Sequence, residues 1–128
     1  MRLNELFDAS FKLTLAEGRR PDAMELIGLV KENAPEVYEL WLYGARATNT
    51  ARGNDPWTFI AVIPDETTPQ RSAELIHVLK GLRGAIPGLL LDFYICRESQ
   101  RQSDVTPLYW AQRGEGKKFW ADRSQKNA

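Results

Sequence analysis

The sequence is poor in the residues that build disulfide frameworks and zinc sites. It contains one cysteine, Cys96, and one histidine, His77, among 128 residues. A single cysteine excludes an internal disulfide, and a lone histidine without a second nitrogen or sulfur ligand nearby argues against zinc. We therefore expect Cys96 to be a buried, inert thiol and His77 to lie on a helix surface.

Net charge and long apolar runs are also absent. Lysine plus arginine and aspartate plus glutamate each number 17, so the formal net charge is zero. This balance gives no electrostatic basis for general nucleic-acid or membrane-surface binding. No apolar run approaches the roughly 20 residues that span a bilayer, and the first residues lack the apolar centre of a signal peptide. We expect a cytoplasmic protein without membrane contact.

Hydrophobic patterning predicts a single α/β domain of the α+β type at 1–122 and a disordered polar tail at 123–128. Strands are expected at 37–43, 57–63 and 89–96. Helices are expected at 3–15, from Pro21 to before Pro35, from Thr67 to Gly84, and from near Ser103 or Thr106 to Gly114 or Gly116. The third strand is apolar apart from Asp92, which predicts a central strand buried on both faces. The sheet is expected to be mixed, with at least three strands and flanking helices.

Several segments together resemble the core of the nucleotidyltransferases, the superfamily of DNA polymerase beta and of the small "minimal" bacterial nucleotidyltransferases. Residues 40–52 resemble its first strand, which ends in a glycine and an arginine-containing loop. Residues 59–65 and 89–95 look like its second and third strands, and 108–120 are similar to its closing helix and turn. The resemblance covers 36–120 and implies a nucleotidyltransferase-like fold.

The chemistry of that family explains which residue types it requires. Its first strand ends in Gly-Ser, its second opens with Asp-x-Asp, and its third supplies another aspartate. Carboxylates one residue apart on a strand point the same way and hold Mg²⁺, and the third can activate the attacking hydroxyl. The resemblance implies that Asp55 and Asp92 are the metal and catalytic candidates. It implies nucleotide or phosphate contacts from the following residues: Gly44, Ala45, Arg46, Arg52 and Trp57.

The sequence departs from the family pattern at the residues that matter most. Ala45 stands in place of the serine. An ungapped match places Pro56 and Thr58 at the two metal positions, whereas a shift of one residue places Asp55 and Trp57 there. Either alignment breaks the carboxylate pair. Only Asp92 and at most Asp55 would then be left to hold Mg²⁺.

Each of these candidate site residues also has a purely structural interpretation. Asp92 is a metal or base position, the partner of an arginine such as Arg46 or Arg52, or an exposed residue near a strand end. Asp55 also suits an ordinary turn, and both arginines also suit a solvated loop. Trp57 either fills the vacated metal pocket or offers its ring to a base.

Three functional hypotheses follow. The first is a degenerate nucleotidyltransferase-like protein without transferase activity, which acts as a nucleotide-binding or protein-interaction module. By resemblance to small family members, which often pair with a helical protein as in toxin–antitoxin systems, we expect a protein partner or a homodimer. The second is a divergent enzyme that transfers a nucleotide with one Mg²⁺ through Asp55 and Asp92. The third is an unrelated α/β domain, which Gly44 and Asp92 on opposite edges of the sheet would favour.

Overall fold

The computed structural model describes residues 23–48, 50–51, 55–103, 106, 113–114 and 116–122. The helices are α1 (Ala23–Asn33) and α2 (Pro69–Lys80), and the strands are β1 (Glu39–Tyr43), β2 (Trp57–Ile63), β3 (Leu91–Arg97) and β4 (Gly116–Ala121). Short 3-10 helices at Gly44–Arg46 and Glu98–Gln102 follow β1 and β3. The helix expected at 3–15, most of the expected last helix and the tail lie outside the described residues. Within the described part, no helix is long and apolar enough to cross a membrane.

The four strands form one mixed sheet in the order β3-β2-β1-β4. Strand β1 is antiparallel to both β2 and β4, whereas β2 and β3 are parallel. Parallel neighbours need a crossover connection, and α2 lies in the segment that connects them. The predicted α+β class, with a mixed sheet of at least three strands and helices, is confirmed.

Alternation along the strands gives the sheet two different faces. The face that we call the core face packs with α1 and α2, and its buried residues include Leu26, Val30, Leu40, Leu42, Phe59, Ala61, Leu75, Leu79, Leu91 and Phe93. The other face, which we call the opposite face, carries Trp41, Tyr43, Thr58, Ile60, Val62, Asp92, Tyr94 and Cys96. The opposite face is fully buried at Ile60 and Val62 but half-buried at Tyr43, Thr58 and Asp92.

Helix α2 begins at its predicted start signal but ends earlier than expected. The Thr68 side chain accepts a hydrogen bond from the Arg71 backbone N–H at 3.1 Å, and Pro69 occupies the first turn. The helix was expected to continue to Gly84 but ends at Lys80, with Gly81 as its C-cap. Glycine loses more conformational freedom in a helix than other residues, so the earlier glycine ends the helix.

Strand β4 was not predicted, and the expectation of a closing helix and turn through residue 120 is wrong for its last residues. Gly116–Ala121 pair with β1 instead, with an irregularity of register between Leu40 and Trp41. Phe119 and Trp120 are both buried in the core, and the Phe119 ring meets that of Phe59 edge-on at 5.0 Å. Burial of these two aromatic rings outweighs the weak strand signal of the glycine and lysines before them.

The expectation that the third strand is central and buried on both faces is also wrong. Among the strands of the described residues, β3 lies at an edge of the sheet, with β2 as its neighbour. Leu90 is 43% exposed and Tyr94 is 46% exposed, so the apolar run does not reflect burial on both faces. An apolar run of this length fits a half-exposed edge strand as well as a central one when its outward residues remain apolar.

Candidate functional site

The strand ends bring two predicted site residues, Gly44 and Asp92, to one end of the sheet. Tyr43, the last residue of β1, pairs with Thr58 of β2, and Thr58 pairs with Asp92 of β3. Directly opposed residues project to the same face, so these three side chains form a row on the opposite face. Gly44 follows Tyr43 and begins the loop beside this row. Gly44 and Asp92 are therefore at the same end of the sheet, which removes the arrangement that would favour an unrelated domain.

Asp92 retains an uncommitted carboxylate within the described part of the chain. It is half-buried, and its Oδ1 accepts a hydrogen bond from the Phe93 backbone N–H at 3.1 Å. No described lysine or arginine forms an ion pair with it. Pairing of Asp92 with Arg46, one structural alternative from the sequence, is not realised, and Arg52 lies outside the described residues.

Strand register decides between the two sequence alignments. Trp57 pairs with Leu91, belongs to the core cluster and is 2% exposed, whereas Thr58 faces Asp92. A residue at a metal position must share the face of Asp92, which excludes Trp57. The ungapped match therefore fits the structure, with Thr58 and Pro56 at the two metal positions. Neither side chain carries a carboxylate.

Arg46 is engaged in closing the loop between β1 and β2. Its guanidinium carbon lies 4.4 Å from the centroid of the Trp57 ring. Its Nη2 donates to the carbonyl oxygen of Asp55 at 3.0 Å. Stacking and a directed hydrogen bond are the two interactions for which arginine is best suited. Arg46 thus holds Asp55 and Trp57 in place, and it covers one face of the indole whose stacking on a base was one of the two alternatives for Trp57.

The turn after β1 requires its glycine and leaves space beside it. Gly44 has a φ of 78° and opens the short 3-10 helix. Its carbonyl accepts hydrogen bonds from Ala47 N–H at 3.0 Å and Thr48 N–H at 3.1 Å. A Cβ at Gly44 would meet nothing within 4 Å, so this conformation, rather than crowding, explains the glycine. Ala45 supplies a methyl group in this turn where the family pattern has a hydroxyl.

The residues of the row do not fit a two-metal centre. Asp92 supplies a carboxylate, and the Thr58 hydroxyl beside it is neutral. Among the described residues, no three acidic, histidine or cysteine side chains are close enough to hold a metal ion together. Magnesium needs near-octahedral oxygen coordination, and a two-metal site needs carboxylates that bridge or flank both ions. The described residues therefore do not supply the ligands of a two-metal site.

Two solved structures share the fold. A "putative nucleotidyltransferase" from Sulfolobus solfataricus has 12% sequence identity, covers 91% of this chain and 91% of its own, and superposes with a TM-score of 0.52. The fold is nucleotidyltransferase-like. A toxin–antitoxin structure with AMP-PNP has 16% identity, covers 84% of this chain and 80% of its own, and has a TM-score of 0.51. No family model matches the sequence, and no curated protein does.

Sequence reasoning missed three residues around Asp92. Tyr43 belongs to the same row, and Asp92 is flanked by Leu90, just before β3, and by Tyr94 within it. The period of two about Asp92 could have identified them as residues of one face. Of the remaining predictions, His77 is exposed on α2 and Cys96 is buried, as expected.

Proposed function

We propose that this chain is a nucleotidyltransferase-fold protein without transferase activity that acts as a nucleotide-binding or protein-interaction module. The observation that supports this proposal best is the pairing of Thr58 with Asp92 across β2 and β3. With Pro56 two residues before Thr58, one of three metal positions keeps a carboxylate. One carboxylate is too little negative charge to hold two divalent cations beside a triphosphate.

The turn at Gly44 supports the nucleotide-binding part of the proposal. Its positive φ and the open space around its Cα leave room for a close approach of a ligand to the backbone. The fold shared with a toxin–antitoxin structure that contains AMP-PNP makes a nucleoside triphosphate the first ligand to test. Because that structure is a toxin–antitoxin structure, the same likeness is also the reason to propose a protein partner.

A divergent enzyme that uses Asp55 and Asp92 with one Mg²⁺ is the second candidate. It is favoured by the absence of an ion pair at the Asp92 carboxylate within the described residues. An uncommitted carboxylate at this position is suited to bind a metal or to accept a proton. The two candidates differ in whether ligand binding depends on a divalent cation.

A thermal-shift titration with nucleoside triphosphates, with and without Mg²⁺ or Mn²⁺, separates the candidates. A ligand at about 100 times its Kd adds roughly 2.7 kcal/mol of stability, which is readable for a small domain. We expect any stabilisation to be the same without the metal, and to persist in an Asp92→Asn variant. Stabilisation that requires the metal and disappears in Asp92→Asn would contradict the proposal and support the divergent enzyme.

A further inference from the structure

Strand β3 belongs to a segment with a composition that favours pairing between separate chains. Residues 89–96 are all apolar or aromatic except Asp92, which carries the one charge of this segment. Among the strands of the described residues, β3 is last in the sheet order and pairs with β2. An apolar, nearly uncharged segment at a sheet edge is prone to pair with a further strand. Natural sequences oppose such pairing with a charged residue in or beside the segment.

Alternate residues of β3 direct their backbone groups away from β2. Trp57 is in register with Leu91, and the Trp57 N–H donates to the Leu90 carbonyl at 2.8 Å. In a parallel pair, residues that bond to the neighbouring strand alternate with residues whose N–H and C=O groups point the other way. The outward N–H groups of β3 are therefore those of Leu91, Phe93, Ile95 and Arg97.

Other parts of the chain bond to the outward N–H groups at both ends of β3. The Leu91 N–H donates to the Arg83 carbonyl at 3.0 Å, in the segment that follows α2. The Arg97 N–H donates to Oε1 of Gln100 at 2.6 Å, in the 3-10 helix that follows β3. An added strand therefore cannot use these two donors.

Asp92 occupies the donor in the middle of the edge. Its Oδ1 accepts a hydrogen bond from the outward Phe93 N–H at 3.1 Å. Within the described part of the chain, no group accepts a hydrogen bond from the next outward donor, the Ile95 N–H. Without the Asp92 carboxylate, Phe93 and Ile95 would present two donors at a spacing of two, which is the spacing that an added strand uses.

We propose that the Asp92 carboxylate protects the β3 edge from pairing with the same strand of a second copy of this chain. The hydrogen bond to Phe93 leaves one outward donor between the closed ends, which is too few for a stable strand pair. The protection involves no nucleotide, metal or partner protein. This role therefore goes beyond the proposed function and does not depend on it.

Sedimentation velocity of the full chain over a range of concentrations tests the role of the hydrogen bond. Asp92→Ala removes the acceptor and the charge, whereas Asp92→Asn removes the charge and keeps an oxygen acceptor. We expect Asp92→Ala to self-associate at a concentration at least about tenfold lower than the wild type. Asp92→Asn should remain close to the wild type. Glu74→Ala makes the same change of charge on the exposed surface of α2 and should have no effect.

Amide hydrogen exchange of the wild-type protein, followed by nuclear magnetic resonance, gives a second test that needs no variant. The Phe93 N–H should exchange at least about tenfold more slowly than the Ile95 N–H, because Asp92 accepts a hydrogen bond from Phe93 alone. Equal exchange of these two groups would overturn the proposal. Association of Asp92→Ala no stronger than that of the wild type would also overturn it. Equal association of Asp92→Ala and Asp92→Asn would do the same, by showing that the charge alone protects the edge.

Discussion

Thr58 is the residue on which the proposal of a protein without a two-metal site chiefly depends. It sits directly opposite Asp92 on the parallel neighbour, where the family pattern requires an aspartate. Two carboxylates on directly paired residues of neighbouring strands repel each other unless a cation lies between them. A threonine in that position brings no second negative charge beside Asp92 and no second carboxylate for a metal ion.

The conformation of Gly44 leads to a prediction with a matched control. A Cβ at either Gly44 or Gly28 meets nothing within 4 Å, but Gly44 has a φ of 78° and Gly28 lies inside helix α1. We expect Gly44→Ala to lower the free energy of unfolding by about 1–2 kcal/mol through backbone strain. Gly28→Ala should raise it by about 0.5–1 kcal/mol, because alanine favours the helix. Urea denaturation measures both, and equal effects would contradict the assigned conformations.

The helices and strands that the sequence predicted correctly are those with a clear hydrophobic period and a residue that marks their end. Helix α1 stops before Pro35, and strand β2 ends before Pro64, both close to their expected limits. Strand β4 could not be predicted, because burial of Phe119 and Trp120 depends on contacts with distant residues. The edge position of β3 in the described sheet could not be predicted either, since an apolar run does not show how many neighbouring strands a strand has.

An ion pair between two elements predicts a specific pH dependence. Arg71 of α2 forms a bidentate pair with Glu36 before β1, with an Nη2–Oε1 distance of 3.0 Å. The hydrogen bond from Arg71 lowers the pKa of Glu36. Protons therefore bind the unfolded state first as the pH falls. The stability that this pair contributes is present above the ordinary glutamate value of about 4.3 and is lost as pH falls through the lower folded value.

Urea midpoints of the wild type and a Glu36→Gln variant between pH 7 and pH 3 test this linkage. The wild type should be the more stable at neutral pH, and the difference should shrink below about pH 4.3. Glu74→Gln is the matched control. Glu74 Oε1 lies 3.9 Å from Arg71 Nη1, and the Glu74 side chain is exposed on the same helix. A Glu36→Gln difference that stays constant over the whole range would show that the ion pair does not stabilise the fold.

At the scale of the whole molecule, the mixed sheet gathers the candidate residues at one end. The resemblance in sequence predicted this gathering for Gly44 and Asp92, and the strand register agrees with it. The sequence alone could not choose between Thr58 and Trp57, since a shift of one residue exchanges the two faces of a strand. The sequence also could not predict that Arg46 stacks on Trp57 and donates to the Asp55 carbonyl, because both contacts depend on the conformation of the loop between β1 and β2.

Binding of Mn²⁺ to the wild-type protein and to a Thr58→Asp variant shows whether the end of the sheet that carries Asp92 lacks a working metal site, as we propose. Loss of the electron paramagnetic resonance signal of aqueous Mn²⁺ reports binding, and Mn²⁺ takes the same oxygen ligands as Mg²⁺. We predict that Thr58→Asp binds Mn²⁺ at least about tenfold more tightly than the wild type, because it places a second carboxylate opposite Asp92. Adding Asp92→Asn to that variant should abolish the gain. Wild-type binding as tight as that of Thr58→Asp, and lost in Asp92→Asn, would show that a working metal site persists and would contradict the claim.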